Sequence, residues 1–231
     1  MNRIKFCFCL LFIPLCISTN LFGQANKEVR KPGAFSSLKV YGRFDVILVK
    51  GEEESVTLES EKTELDNIVT EVEENKLKVR MKMTYFQDKD VKVVVTYKQL
   101  EEISAGAGAH IDAGTIEESK VILKANSGSQ ISAEVIAGWL EAESTQGAIM
   151  HLSGKVKSID ATVNTGGQLN GFQLNADSAK VKVMMGGLAK VTVKEKLDAN
   201  VTMGGNISYK GNPREVKRSD TMGGTITEIR E

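Results

Sequence analysis

Between Phe35 and Ser104 apolar positions alternate with charged ones at period two. Examples are Ser55-Val56-Thr57-Leu58-Glu59, Lys76-Leu77-Lys78-Val79-Arg80-Met81 and Asp90-Val91-Lys92-Val93-Val94-Val95-Thr96-Tyr97, with a more apolar run at Asp45-Val46-Ile47-Leu48-Val49. Such alternation puts one face of a strand on a core and the other in water. Lys50-Gly51-Glu52 and Glu74-Asn75-Lys76 are short polar breaks that suit turns between paired strands. Leu65, Ile68 and Val69 stand at helical spacing, enough for one helical turn, and nothing else in the chain reads as helix.

After Ser104 the pattern changes to a repeat: a glycine-rich pair, one variable residue, then usually an apolar one. The copies are Gly108-Ala109-His110-Ile111, Gly128-Ser129-Gln130-Ile131, Gln146-Gly147-Ala148-Ile149, Gly166-Gly167-Gln168-Leu169, Gly186-Gly187-Leu188-Ala189, Gly204-Gly205-Asn206-Ile207 and Gly223-Gly224-Thr225-Ile226, with steps of 20, 18, 20, 20, 18 and 19 residues. A period near 19 held over seven copies marks a repeat architecture. Each period holds two strand-like stretches and no helical phrase, so a unit cannot bury its own apolar face and must stack on its neighbours. The fold class predicted is all-β: a short parallel β-helix, or β-solenoid, of about seven rungs with an N-terminal β-strand cap. At about 4.8 Å per rung this is a rod of order 30 Å. The glycine pair is expected at a corner, where positive φ carries no Cβ penalty. Pro213 and the charges of the last strand, Thr225 to Glu231, are read as protection of the exposed end.

The N-terminus is different. Arg3 and Lys5 precede an apolar run from Phe6 to Ile17, followed by Gly23-Gln24-Ala25, the order of a secretory signal peptide. The run contains Pro14 and is too short to cross a ~30 Å hydrocarbon core. The expected organisation is a signal peptide at 1–24, a linker at 25–34 and a single solenoid domain at 35–231, with longer strands over 35–104 and glycine-pair rungs over 105–231. Cys7, Cys9 and Cys16 all lie in the leader, so cleavage removes every thiol, and with them any disulfide, thiol nucleophile or cysteine metal site. Lipidation at Cys16 is disfavoured by the preceding Ile13-Pro14-Leu15. The expected location is outside the cytoplasm: periplasmic, associated with the outer membrane, or extracellular.

Composition narrows the partners. Without the leader the chain has 28 basic and 30 acidic residues, and the two halves are equally balanced, with 14 basic and 16 acidic residues in 25–104 and 14 of each in 105–231. Nucleic acid demands clustered positive charge, which these totals do not offer.

Candidate chemistry is sparse. Glu52, Glu53 and Glu54 read as a solvated turn, not a cation site. His110 and His151 fall at different offsets within their rungs and are not expected to stack as metal ligands. Gly106-Ala107-Gly108-Ala109-His110 lacks the third glycine and the helix of a dinucleotide loop, and reads as the first corner of the repeat. Asp160, Asp177 and Asp198 are expected to scatter around the rod, not to form the close carboxyl pair of a glycosidase. Met185, Met203 and Met222 each precede a glycine pair and should stack. Packing at the corner is the favoured reading over soft-metal ligation or an adaptable binding stripe, with Thr202 and Thr221 in a hydroxyl ladder beside Met184. Trp139, the only tryptophan, is expected to be buried. No catalytic, cofactor-binding or metal residue is assigned, and no cofactor is expected.

The opening Phe44-Asp45-Val46-Ile47-Leu48, then Lys50-Gly51, Ser55-Val56 and Leu77-Lys78-Val79, followed by serial glycine-pair rungs, resembles the bacterial family called putative auto-transporter adhesin, head GIN domain, over about Phe35 to Glu228. The resemblance implies a β-solenoid in the envelope or outside the cell. It does not bring a C-terminal membrane barrel, since the pattern runs to Glu231 as one more rung, and self-transport is therefore not expected. The function expected is a non-enzymatic, adhesin-like module presenting a solenoid face to a glycan or to an envelope or cell-surface protein. A carbohydrate-active enzyme and an architectural subunit that self-associates into homo-oligomers are the alternatives.

If the leader is removed as expected, intact mass of the exported chain will start near Ala25 and a thiol reagent will label nothing. An acylated mass beginning at Cys16 would contradict this.

Overall fold

The computed structural model describes residues 26–82 and 91–230; the segment expected to be a leader, with its three cysteines, lies outside the described residues. The described residues form sixteen strands and one 3-10 turn at Leu65–Asn67, where helical spacing predicted a single turn. The strands join in one mainly parallel ladder that coils as a solenoid of about seven turns. Strand β9 spans His110–Ala125, β10 Gln130–Thr145, β11 Ile149–Asn164, β12 Gln168–Met184 and β13 Leu188–Thr202. Each is a bent ribbon that pairs in parallel with the next along nearly its whole length. The next coil is built from β14 (Asn206–Lys210) and β15 (Glu215–Thr221), both stacked on β13, and β16 (Thr225–Glu228) stacks on β14 to begin one more.

Stacking in register lines equivalent residues into columns. Ile111, Ile131, Met150, Leu169, Ala189 and Ile207 form one buried column, and Val121, Leu140, Ile159, Ala179 and Leu197 another. A fully buried aliphatic side chain contributes roughly 1.5–3 kcal/mol relative to exposure, so repetition of these columns supplies the core that no single coil has.

The glycine repeat marks one tight turn per coil, but its two positions do different work. Positive φ falls on the first glycine and on the residue before it: Thr165 and Gly166, Met185 and Gly186, Met203 and Gly204. This is the double left-handed signature of a type I′ turn. Gly147, with φ 72°, occupies the first-glycine position of its coil, so the third copy is offset by one from the sequence alignment and the spacing becomes more regular. Each turn closes through a short bond, such as Gly167 N–H to the Asn164 carbonyl at 2.9 Å. The Gly128, Gly147, Gly166 and Gly186 N–H groups donate across to the next turn's carbonyl at 3.1–3.2 Å.

The second position faces the core and is sterically limited. A Cβ on Gly205 would lie 2.6 Å from Val183 Cγ1 and 3.3 Å from Val201 Cγ1, and one on Gly167 would lie 2.3 Å from the Ser144 carbonyl oxygen. Earlier coils have Ala109, Ser129 and Ala148 at this position. They are matched by the small Ala105, Ala125 and Ser144 on the strand entering each turn, whereas the glycines are matched by Val163, Val183 and Val201. Volume is exchanged across the turn as the rod proceeds.

The N-terminal region is less separate than the expected cap. Strands β2 (Ser37–Tyr41) and β3 (Phe44–Lys50), joined at Gly42 and Arg43, form a coil that pairs in parallel with β8 (Glu102–Gly106) and β9. Strands β6 (Lys76–Met81) and β7 (Val91–Tyr97) stack outside it, again parallel. Only β4 (Ser55–Ser60) and β5 (Ile68–Glu73) are antiparallel to this stack and close that end. The segment expected as a linker contributes β1 (Asn26–Arg30), antiparallel to β4. Arg30 donates to the Leu65 and Ile68 carbonyls at 2.9 and 2.5 Å, and its bond to Glu28 holds that carboxyl below the ordinary carboxylate range.

The other end is closed by charge. In β15 the inward columns that carry Ala199 and Val201 one coil earlier receive Arg218 and Asp220. Arg218 stacks 5.1 Å from the Tyr209 ring and donates to its hydroxyl. An inward charge on the last strand discourages edge-to-edge pairing with another chain.

The two glycine positions should respond differently to substitution. Gly205→Ala is expected to cost about 1–3 kcal/mol by overpacking, part of which Val183→Ala restores. Gly204→Asn, with nothing within 4 Å of its Cβ, should cost under about 1 kcal/mol, as asparagine tolerates this backbone region. Denaturant melts of the single and double variants check this.

Candidate binding groove

Besides the tight turn, each coil bends where the strand leaving the turn changes direction, and here three of the four ribbon pairs lose register while β10 and β11 stay in step. Breaks fall between Ser132 and Glu134 against β9, between His151 and Ser153 against β12, and between Gly171 and Asn175 against β13. The extra residues are accommodated as bulges, which re-aim side chains. Gly154 shows how close the backbones are: its φ is 105° and a Cβ would lie 2.3 Å from the Val135 carbonyl oxygen.

The stacked bulges border a groove of about 610 Å³ that crosses successive coils along the rod axis. Asp112 and Glu134 stand at its N-terminal end, His151 and Asn170 in the middle, and Phe172 and Lys190 at the far end. Glu134 accepts from the Thr115 hydroxyl at 2.8 Å, and Asp112 from the Gly114 N–H at 3.2 Å. Phe172 sits in the widest bulge, half-buried, with Lys190 and Lys210 Nζ 6.0 and 5.2 Å from its ring centroid. Its carbonyl accepts from the Thr192 hydroxyl at 2.8 Å, which fixes the bulge. The same ring borders a second cavity of about 630 Å³, whose walls include Asn175, Lys210, Glu228 and Arg230. One side of the rod therefore offers an aromatic platform between two hollows, acidic at one end and basic at the other. Such a surface suits an extended ligand with both hydrogen-bonding and apolar faces.

Residues singled out from sequence distribute unevenly over this surface. His151 lies in the groove, while His110 belongs to a different column, paired with Gln130. Asp160 and Asp198 do not scatter: they share a column, because each lies six residues before the first glycine of its turn. Lys180 stands between them and separates the carboxylates by two coils. Asp177 is at another position, next to a register break. Trp139 is not buried but half-exposed on the outer face, capped by Lys120 Nζ at 4.9 Å. Glu53 and Glu54 turn to different partners, Lys31 and Lys98; Glu53 is solvated as expected, whereas the Glu54 side chain is only 14% exposed. Among the described residues no three His, Cys, Asp or Glu side chains are grouped to hold a metal, and no helix is long and apolar enough to cross a membrane.

The methionines also depart from expectation. Met185, Met203 and Met222 stack, but on the outside of the turns, 49%, 53% and 72% exposed, so they do not pack the corner. Thr202 and Thr221 do align with Met184. Phe172, Lys190 and Lys210 were not singled out by sequence. The available signal was the length of β12, 17 residues against 15 or 16 in the neighbouring ribbons, with an aromatic in the excess.

Comparison with known proteins places this geometry. The model of the family described as putative auto-transporter adhesin, head GIN domain, matches residues 34–213. A putative adhesin from Bacteroides fragilis has a similar fold, with a TM-score of 0.82 at 17% identity, covering 89% of this chain and 97% of its own. A putative lipid binding protein from Parabacteroides distasonis aligns with a TM-score of 0.71 at 18% identity, and a putative adhesin from Parabacteroides merdae with 0.68 at 19%; each alignment covers 90% of this chain and 98% of the other. No curated protein matches.

Proposed function

The chain belongs to the putative auto-transporter adhesin, head GIN domain family, and from that premise we propose that it is a non-enzymatic binding module of the cell envelope or surface that holds an extended glycan along the bulged face of the solenoid. The observation that carries this reading is Phe172, held half-exposed between two lysines and shared by two hollows. Sugar rings present apolar faces to aromatic rings and hydroxyls to amide, carboxylate and ammonium groups, and this face supplies both kinds of contact within one groove. Lys190 and Lys210 over the ring favour acidic groups on the ligand at that end, while Arg230 in the second hollow is paired with Glu228 at 3.6 Å. The fold positions the side chains on rigid strands, which lowers the ordering cost of binding. The reading places the protein outside the cytoplasm, in keeping with an adhesin-like family and with the leader.

The test is a glycan array probed with the wild-type chain and with Phe172→Ala and Lys210→Glu. Loss of the aromatic platform is expected to weaken binding at least about tenfold, some 1.4 kcal/mol, with the circular dichroism spectrum unchanged. Binding that survives both substitutions, or capture of a protein and no glycan, would overturn the proposal. So would turnover of a polysaccharide that Glu134→Gln abolishes.

A further inference from the structure

Three methionines occupy the same place in three successive turns and none of them is packed. Met185, Met203 and Met222 have φ of 44°, 57° and 57°, a backbone region that L side chains enter at a cost and that Gly, Asn and Asp tolerate best. With exposures of 49%, 53% and 72%, they recover little of that cost by burial. The equivalent turns nearer the N-terminus place the small or polar Ala107, Ser127, Gln146 and Thr165 at this position. The left-handed backbone is common to all these turns; what is particular to the last three is a large apolar side chain left exposed on it, which the turn itself does not require.

We propose that these three thioethers form a binding site for a soft monovalent metal ion, Cu(I) or its analogue Ag(I), on the turn ridge of the last three coils. Soft thioether ligands select such ions. Parallel coils hold the three backbones about 4.8 Å apart, and the spacing is fixed by bonds between turns. Gly166 and Gly186 N–H donate to the Met185 and Met203 carbonyls, and Met203 N–H donates to the Thr221 carbonyl, all at 3.1–3.2 Å. Neighbouring methionines are one coil apart and the outer two are separated by two coils, about 9.6 Å, so both outer side chains must converge on the central Met203 for three sulfurs to share one ion. Methionine, unbranched and with three rotatable bonds, does this readily. The turns themselves, Met184 to Gly187, Thr202 to Gly205 and Thr221 to Gly224, contain no charged residue. Hard divalent cations, which demand carboxylate or carbonyl oxygens, have no charged ligand within these turns. A thioether has no proton to lose, so binding should not weaken on acidification as it does at histidine or cysteine sites. The site lies on the tight turns, apart from the bulged face, and does not depend on the glycan reading.

The experiment uses the whole chain with Cys7→Ser, Cys9→Ser and Cys16→Ser, which removes competing thiols outside the described residues, labelled at the methionine methyl carbons and titrated with Ag(I). One equivalent should shift three of the eight methionine signals, with affinity unchanged between about pH 7 and pH 5. Met203→Leu, which keeps the apolar volume, should weaken binding at least about tenfold, and the triple leucine variant should abolish it, while His110→Ala and His151→Ala leave it intact. No shift of these three methyls, binding retained in the triple variant, or affinity that falls with pH and is lost with a histidine would overturn the proposal.

Discussion

Parallel strands can stack only at a spacing near 4.8 Å, and in a solenoid that limit applies to the turns as strictly as to the strands. Each coil must come back to the same point, reverse direction in two residues and leave no side chain in the way of the turn above or below. The double left-handed backbone at Thr165-Gly166 and its equivalents meets the first demand, and the inward second position meets the last. Where the entering strand brings a valine, as at Val183, the facing residue is reduced to glycine. Where it brings alanine or serine, alanine or serine faces it. The bonds from one turn's glycine N–H to the next turn's carbonyl then continue the ladder around the corner, so that the backbone is paired even where no strand would normally reach.

The remaining features follow from how tightly each corner is held. The tight turn tolerates no extra residue, and its spacing is the most regular element of the chain. The opposite bend is looser: it accepts one to three additional residues from coil to coil, and the ladder skips register there without disturbing the core columns. That freedom produces the groove. Phe172 faces outward because β12 has residues for which β13 offers no partner, and the Thr192 hydroxyl secures the resulting bulge. The turn ridge and the bulged face are thus two surfaces of opposite character made by the same repeat, one invariant in geometry and one variable. Closing the rod is a separate problem, met by antiparallel strands at one end and by Arg218 and Asp220 at the other.

Much of this was legible in the sequence because repetition amplifies weak signals. The seven glycine copies gave the coil count, and period-two alternation gave the N-terminal strands. What escaped depends on register. Asp160 and Asp198 looked scattered but share a column, with Lys180 interposed. Trp139 was expected inside, yet a single residue of register puts it outside under Lys120. The methionines were assigned to packing on their apolar character, but the turn conformation directs them to solvent. The segment 25–34 reads as a linker although it supplies β1, and the pairing of the 35–104 cap is not legible, because local alternation does not reveal that β2 and β3 pair with β8 and β9. Nor does it reveal that β6 and β7 stack outside a coil that precedes them in sequence. Phe172 was missed because its significance lies in two lysines that are distant in the chain and become neighbours only when coils stack.

The central claim is that the turns are hydrogen-bonded to one another as a continuation of the sheet. Amide hydrogen exchange tests it at residues that solvent should otherwise reach freely: Gly128, Gly147, Gly166 and Gly186 are all exposed, yet each N–H is bonded to the next turn. The account expects these four amides to exchange at least about a thousandfold more slowly than an unstructured peptide, approaching core amides such as that of Val163, because opening them requires separating coils. Exchange at the unstructured rate, with the strands still protected, would show that the turns are independent loops and that the ladder ends where the strands do.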